Sequence, residues 1–123
     1  MDFKWDEEQE MLRSTVRTFA ERDIRPVALS FRDQGREAIP QNLHKKMTDM
    51  GLFGMTLPEE YGGGGRSPVD AIIAMEEVGR VDPLFANSVF GANFGPIRAI
   101  AGYGTDQQKQ KYIPPVCRGE GHV

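Results

Sequence analysis

The sequence predicts an all-α fold, an irregular or orthogonal bundle of five to six helices. Apolar residues recur at helical spacing over most of the 123 residues. Helix-capping residues, several of them followed at once by proline, stand directly before these apolar runs. No stretch gives a convincing set of strands, and helices that bury their apolar faces against one another pack as a bundle.

The length of 123 residues is that of one globular domain with a core of its own, since domains commonly have roughly 100–150 residues. The formal net charge of −3 argues against a broad nucleic-acid-binding surface, which is usually basic. The acidic N-terminal segment lacks the apolar stretch of a secretory signal, and no run approaches the ~20 apolar residues of a transmembrane helix. A single cysteine, Cys117, excludes an internal disulfide. These properties predict a soluble, cytoplasmic protein, with the mitochondrial matrix as the alternative location.

The N-terminal half contains three predicted helices. The first runs from Asp6, its N-cap, to Asp23. Its predicted apolar face consists of Met11, Leu12, Thr15, Val16, Phe19 and Ala20. Pro26 is predicted to open a second, shorter helix, because proline is tolerated in a first turn. A third helix is predicted to begin near Pro40 and to end before Gly51, which suits the position just after a helix.

Residues 52–66 are predicted to form a loop. Pro58 and the glycines Gly62–Gly65 interrupt the helical pattern. These glycines lack the lysine and the spacing of a phosphate-binding loop, so a flexible or tightly turned connection is the better interpretation. Ser67, as N-cap, and Pro68 then begin a helix. Its predicted apolar positions are Val69, Ile72, Ile73, Met75 and Val78.

The most apolar segment follows the cap Asp82 and Pro83 and extends towards Ile100, with Pro96 predicted to kink or break the helix. A helix that is apolar on most sides is usually buried in a core or an interface. One interpretation is the centre of this domain's own core. The other is an apolar slot for a ligand or a neighbouring domain, because small residues alternate with aromatic ones. The side chains that would face such a slot are Phe85, Ala86, Val89, Phe90 and Phe94.

The last predicted helix begins at Thr105, because Thr105 and Gln108 have the spacing of a capping box. It runs towards Ile113, and Pro114-Pro115 are predicted to interrupt it. Cys117 follows this apolar patch and is expected to be a buried, inert thiol.

No residue cluster has the spacing of a catalytic or metal-binding site. The two histidines, His44 and His122, are isolated, and His44 is expected on a solvated face between lysines. Glu76 and Glu77 are adjacent, but neighbouring residues point about 100° apart on an α-helix, so they form no acid/base pair. They are expected in salt bridges or on a solvated face.

Several blocks, taken in their order along the chain, resemble the N-terminal helical domain of the acyl-CoA dehydrogenase family. The blocks are EEQEMLRSTVRTFA (7–20), DIRPVA (23–28), MGLFGMTLPEEYGGGG (50–65), AMEEVGRVDP (74–83) and YGTDQQKQKYIPPVCRGE (103–120). The resemblance extends over essentially the whole chain. The pattern GL…PEEYGG in the third block and the pattern GT..QK.KY in the last block are together quite specific for this family, whereas either alone is weak.

The resemblance implies a longer flavoprotein of which residues 1–123 are the N-terminal domain. Members of this family add a middle β-domain and a C-terminal helical domain, both absent from this sequence, and bind FAD between them. They remove two hydrogens from the α and β carbons of an acyl-CoA thioester. A glutamate base takes the α-proton and the β-hydride goes to FAD. They commonly form homotetramers and pass electrons to electron-transferring flavoprotein.

The same resemblance implies that this chain contains no catalytic residue and does not bind FAD by itself. It implies that the N-terminal domain contributes part of the wall of the acyl pocket. The positions that match this stretch are Phe85, Ala86, Val89 and Phe90. The bulk of Phe90 favours a shorter or differently shaped acyl tail, because contact with each methylene is worth about 1–3 kcal/mol of discrimination.

Two other hypotheses remain at this stage. Acyl-CoA oxidases, nitroalkane oxidases and flavin-dependent monooxygenases share this helical domain, and the residues that distinguish them lie in the absent domains. A stand-alone helical interaction module with no enzymatic parent is the third. The coding sequence immediately downstream of Val123 would separate all three.

Overall fold

The computed structural model describes residues 3–32 and 39–120. The helical elements in these ranges are α1 (Glu7–Phe19), a π-helical segment (Ala20–Ile24), α2 (Arg25–Arg32), α3 (Gln41–Asp49), a 3-10 helix (Glu59–Tyr61), α4 (Pro68–Gly79), α5 (Pro83–Gly91), α6 (Pro96–Tyr103) and α7 (Asp106–Cys117). Within the described ranges no residue is in a strand. The prediction of an all-α fold is confirmed.

Helix α1 begins as predicted and ends at Phe19, but the chain stays helical past Pro26. The Asp6 carboxylate accepts a hydrogen bond from the Gln9 N–H at 2.8 Å, and the Gln9 side chain accepts one from the Asp6 N–H at 2.9 Å. The helical course then continues through the π-helical segment, where the Arg25 N–H donates to the carbonyl of Ala20, five residues back. Proline lacks an N–H and its ring crowds the carbonyl four residues back, so a wider turn accommodates it. The predicted second helix is therefore a continuation of the first.

Three further predicted helix starts, at Ser67, Asp82 and Thr105, are confirmed by their caps. The Ser67 hydroxyl accepts from the Asp70 N–H at 3.3 Å, and the Asp82 carboxylate accepts from the Leu84 N–H at 2.8 Å. The Thr105 hydroxyl accepts from a backbone N–H at 3.2 Å, as the capping box requires. Each cap satisfies an N–H that the first turn of a helix leaves without a partner.

The predicted end of α3 at Gly51 is also confirmed. Gly51 has φ +76, and its N–H donates to the carbonyl of Thr48 at 2.9 Å. The Leu52 N–H donates to the carbonyl of Met47 at 3.2 Å. This pair of bonds is a Schellman motif, which favours glycine because the residue adopts a left-handed conformation.

One prediction about proline is confirmed and one is wrong. The break predicted at Pro96 is confirmed, because α5 ends at Gly91 and Pro96 opens α6. Pro114-Pro115, in contrast, do not interrupt α7, which continues to Cys117. The prolines remove the N–H groups that would bond the carbonyls of Gln110 and Lys111. Both of these residues are exposed, so water can satisfy the carbonyls.

The buried apolar side chains form two clusters on either side of residues 52–57. The larger cluster joins α1, the π-helical segment, α3, α4 and α5. The smaller one consists of Leu57, Ile97, Ile113 and Val116 and lies under α6 and α7. Ala92 packs against both clusters. Residues 52–57 are all buried, so this loop is an internal connection between the two parts of the core.

The predicted apolar faces of α1 and α4 are wider than the faces that are buried. Helix α4 buries Ala71, Ala74 and Val78 in the core but exposes Val69 and Ile72. On α1, Met11 is exposed as well. Helical spacing alone identifies an apolar side but not its width, because the width depends on which neighbours cover it. Separately, the described residues contain no helix with the length and apolar character to cross a bilayer.

The glycine run is a tightly turned connection that folds back onto residues 54–57. The N–H of Gly64 donates to the carbonyl of Gly54 at 2.9 Å, and the N–H of Arg66 donates to that of Met55 at 2.7 Å. Gly63 lies against Leu57. A Cβ on Gly63 would overlap the Leu57 carbonyl and stand 2.8 Å from the Leu57 Cβ.

Replacement of Gly63 by alanine is therefore expected to lower the free energy of unfolding by about 1–3 kcal/mol, the usual cost of overpacking. The clash is with backbone atoms of Leu57, which cannot rotate away. Urea denaturation followed by circular dichroism measures the change.

Gly102 supplies the control, because a Cβ there would meet nothing within 4 Å. Gly102→Ala in α6 is expected to leave stability unchanged or raise it by up to about 1 kcal/mol, since alanine favours helix. A Gly63→Ala variant with the wild-type denaturation midpoint would show that the close approach to Leu57 does not constrain the loop.

Candidate functional site

Helix α5 carries the four residues predicted to line a ligand slot, and the structure separates them. Phe85 and Val89 are fully buried members of the larger core cluster. Ala86 is half-buried beside α4. Phe90 is 45% exposed on the outer side of the helix. One side of α5 therefore belongs to the core, as the first interpretation requires. Another side presents an accessible aromatic ring, as the second interpretation requires.

The close approach of α4 and α5 explains why Ala86 is small. A Cβ on Gly79, at the end of α4, would lie 3.4 Å from the Cβ of Ala86. A methyl group at Gly79 would therefore just reach van der Waals contact with Ala86, and only a bulkier side chain would lack the volume it needs. Gly79 and Ala86 thus set the distance from which α5 presents Phe90.

Phe90 forms a pair with Phe94 in the turn that follows α5. Their ring centroids are 5.9 Å apart and the ring planes are inclined by 35°, within the range of favourable aromatic pairs. The carbonyl of Phe90 accepts from the N–H of Asn93 at 3.1 Å and from that of Phe94 at 2.8 Å. The backbone of the turn therefore holds the two rings in a fixed relation.

Asn93 is a fully buried polar residue that the sequence analysis did not identify. Its side-chain amide donates to the carbonyls of Leu52 at 2.9 Å and Val89 at 2.8 Å. Its side-chain oxygen accepts from the Thr56 N–H at 3.1 Å, and its backbone carbonyl accepts from the Thr56 hydroxyl at 2.9 Å. The one available signal was a polar residue inside an otherwise apolar run. Buried polar groups are almost always hydrogen-bonded, so such a residue needs partners.

Glu77 is buried, and Glu76 is exposed. The Glu77 carboxylate lies 3.1 Å from Arg80, 3.4 Å from Arg17 and 3.9 Å from Arg13. The expectation of salt bridges is confirmed for Glu77, while that of a solvated face is wrong for it, because the packing of α1 on α4 covers the side chain. The three arginines remain partly exposed, so this group connects two helices at the surface of the core.

The comparisons with known proteins agree with this architecture. The sequence model of the family "Acyl-CoA dehydrogenase, N-terminal domain" matches residues 6–120. This chain belongs to the acyl-CoA dehydrogenase family. The matched range includes α5, the turn with Asn93, and the internal loop of residues 52–57.

Among the relatives of this acyl-CoA dehydrogenase family member is a short-chain-specific acyl-CoA dehydrogenase of Clostridium acetobutylicum, 36% identical over 120 residues, which cover 98% of this chain and 31% of the relative. Another is an acryloyl-CoA reductase (NADH) of Anaerotignum propionicum, 37% identical over 97% of this chain and 29% of the relative. The chain thus spans about a third of the length of the curated relatives it matches.

A solved structure supports the same fold. A chain of the structure described as electron transferring flavoprotein of Acidaminococcus fermentans is 30% identical and superposes with a TM-score of 0.84. The match covers 99% of the present chain and 32% of that chain. Nearly the whole length of this acyl-CoA dehydrogenase N-terminal domain therefore has the same helical arrangement as one part of a larger known protein.

The histidine and the cysteine of the described acyl-CoA dehydrogenase domain lie at the contact between α3 and the end of α7. The His44 ring stacks on Phe53 with centroids 4.8 Å apart, so it is partly buried beside the two exposed lysines and only in part on the expected solvated face. Burial raises the pKa of the Cys117 thiol, which favours the predicted inert thiol over an activated one. His122 lies outside the described residues. Among those described, no group of three or more histidine, cysteine, aspartate or glutamate side chains could hold a metal ion.

Proposed function

We propose that this chain is the N-terminal helical domain, residues 1–123, of a flavin-dependent acyl-CoA dehydrogenase. The carrying observation is the family match over residues 6–120, together with relatives of which this chain covers about a third. On this proposal a middle β-domain and a C-terminal helical domain complete the enzyme and contain its catalytic base. The domain packs against them and does not catalyse the reaction alone.

Within the enzyme, α5 is proposed to form part of the wall of the acyl pocket. Phe90 is the member of the predicted set with an accessible ring, and the partly buried Phe94, which packs on the core, lies beside this apolar surface. Phe85 and Val89 lie behind that surface in the core, and Ala86 lies at the contact with α4. The proposed division is that Phe90 contacts the acyl chain, while Phe85, Ala86 and Val89 determine where Phe90 stands.

The proposed reaction is the α,β-dehydrogenation of an acyl-CoA thioester, with hydride transferred to FAD and electrons passed on to electron-transferring flavoprotein. A homotetramer is the proposed assembly. One relative, at 37% identity, is an acryloyl-CoA reductase. This relative favours a second candidate, the same chemistry run in reverse, in which the enzyme reduces an α,β-unsaturated thioester. The proposed role of α5 is the same in both directions.

Among the described residues, the groove between α3 and the end of α7 does not suit FAD. Its volume is about 710 Å³, and two of its cations are already paired. Lys45 lies 3.1 Å from Asp49, and Arg118 lies 3.0 Å from Glu120. A pyrophosphate binds best where unpaired cations or N–H groups converge. We therefore assign FAD binding to the proposed remainder of the protein and derive no step of the reaction from this chain.

The test compares the 123-residue chain with the protein encoded by the complete reading frame. We expect the complete protein to bind FAD stoichiometrically and to reduce a dye acceptor with butyryl-CoA. In the reverse direction it is expected to reduce the α,β double bond of crotonyl-CoA when supplied with a reduced electron donor. The chain alone is expected to show neither a bound-flavin spectrum nor turnover, because the base and the flavin site are supplied by the other domains.

Three other outcomes would each contradict a different part of the proposal. A stoichiometric yellow complex of the 123-residue chain with FAD would contradict the assignment of the cofactor to the other domains. Consumption of oxygen without a dye would favour an oxidase. A reading frame with no flavoprotein sequence after Val123 would contradict the proposal and favour the stand-alone interaction module.

A further inference from the structure

The turn after α5 is fixed to the interior of the protein by a small set of polar bonds. Thr56 and Asn93 exchange two hydrogen bonds, one through the Thr56 N–H and one through its hydroxyl, at 3.1 and 2.9 Å. The carbonyl of Thr56 accepts a third bond, at 2.7 Å, from the guanidinium of Arg98 on α6. One residue of the internal loop therefore binds both ends of the α5–α6 connection.

The internal loop that holds Thr56 is itself fixed in the core of the protein. Its residues 52–57 are all buried, and its first residue, Leu52, accepts a bond from the Asn93 side chain at 2.9 Å. The bonds join segments 37 to 42 residues apart in the sequence. The bonds of Asn93 are buried, and a buried polar group that loses its partner is costly, so the turn has one strongly preferred position.

This turn also holds the aromatic pair, in which Phe90 is exposed and Phe94 is partly buried. Asn93 and Phe94 both donate their N–H groups to the Phe90 carbonyl, and the Phe94 ring packs on the Phe90 ring. Asn93 also bonds the Val89 carbonyl at 2.8 Å. Any displacement of Asn93 relative to Thr56 thus moves the backbone on which both rings stand.

We propose that Thr56 and Asn93 are positioning residues for the acyl-pocket wall, which they hold in place through the α5–α6 turn. The inference rests on the proposed function. Neither residue presents its polar group to a ligand, because both are buried and bonded to each other. Their effect is on how firmly Phe90 and Phe94 exclude additional methylenes of the substrate.

The test uses Thr56→Val in the complete protein, since valine keeps the shape of threonine and removes the hydroxyl that bonds Asn93. We expect the ratio of kcat/KM for octanoyl-CoA to that for butyryl-CoA to rise about threefold to tenfold, because a less firmly held wall excludes a longer chain less well. FAD content and kcat for the preferred thioester are expected to stay within twofold. Thr56→Ser, which keeps the hydroxyl, is expected to restore the wild-type ratio.

Thr48→Val is the matched control, because the Thr48 hydroxyl bonds the carbonyl of His44 within α3 and has no bond to the turn. It is expected to leave the ratio unchanged even if stability falls. If Thr56→Val does not fold, Arg98→Ala removes the bond to the Thr56 carbonyl from the partly exposed side and is expected to raise the ratio in the same direction.

The outcomes separate the two proposals. A wild-type protein with no activity on acyl-CoA thioesters in either direction overturns the proposed function and this inference with it. An active wild type whose chain-length ratio is unchanged in Thr56→Val, while its thermal midpoint falls, overturns the inference alone. In that case Thr56 stabilises the fold without positioning the wall.

Discussion

Asn93→Ala is expected to lower the free energy of unfolding of the chain by about 3–5 kcal/mol. The substitution removes three side-chain hydrogen bonds and leaves the Thr56 N–H and the carbonyls of Leu52 and Val89 buried with a lost partner. Each buried polar group left without a partner costs about 1–3 kcal/mol, and neighbouring losses are not fully additive. Urea denaturation at equilibrium, followed by circular dichroism, measures the change.

Asn87→Ala is the control for this prediction. Asn87 is an exposed residue of α5, only six positions away, so the same chemical change there is expected to alter stability by no more than about 0.5 kcal/mol. Equal denaturation midpoints for the two variants would mean that water replaces the Asn93 side chain, and that this side chain does not connect the internal loop with the turn.

Features that depend on neighbouring residues were predictable from the sequence. The caps at Asp6, Ser67, Asp82 and Thr105 each use a backbone N–H two or three residues away, so the residue types alone identify them. The end of α3 at Gly51 is local in the same sense. These signals were enough to predict the helices and the all-α class.

Features that depend on distant partners were not predictable from the sequence. Asn93 meets its partners Thr56 and Leu52 across 37 and 41 residues. Glu77 is buried because α1 packs across it and supplies Arg13 and Arg17, which no pattern within α4 reveals. A polar residue gives the same sequence signal whether water or a distant side chain satisfies it.

The effect of a proline depends on the turn around it, so the break predicted at Pro96 is confirmed, while Pro26 and Pro114-Pro115 lie within a continuous helical course. Pro26 lies just after a π-helical segment that accommodates its ring, so the helix continues. Pro114 and Pro115 lie in α7 where the carbonyls that lose a donor belong to exposed residues. Pro96 follows Gly95, whose extended backbone has already ended the preceding turn, so there the proline begins a new helix. The residue type alone does not decide among these cases.

The candidate site was predicted as a set of four residues on one helix, and the structure divides that set by burial. Phe85→Ala is expected to lower the free energy of unfolding by about 3–5 kcal/mol, the usual cost of removing a fully buried phenylalanine ring. Phe90→Ala makes the same chemical change five positions along the helix. Because the Phe90 ring is 45% exposed, the expected loss is about 1 kcal/mol or less. Urea denaturation of both variants measures the difference.

The same pair of variants also tests which residue belongs to the wall and which to its support. In the complete protein, Phe90→Ala is expected to change the KM for acyl-CoA thioesters of different length while the thermal midpoint stays near that of the wild type. Phe85→Ala is expected to lower the midpoint, with altered kinetics only where the fold is also weakened. If Phe90→Ala destabilised the chain as much as Phe85→Ala, the outer side of α5 would be part of the core and could not serve as a ligand wall. If α5 serves as both core and wall, Phe85→Ala must lower stability more than Phe90→Ala does, and the kinetic effect must belong to Phe90→Ala. The reason is that the Phe85 ring is buried and stabilises the fold, whereas the Phe90 ring is accessible to a ligand.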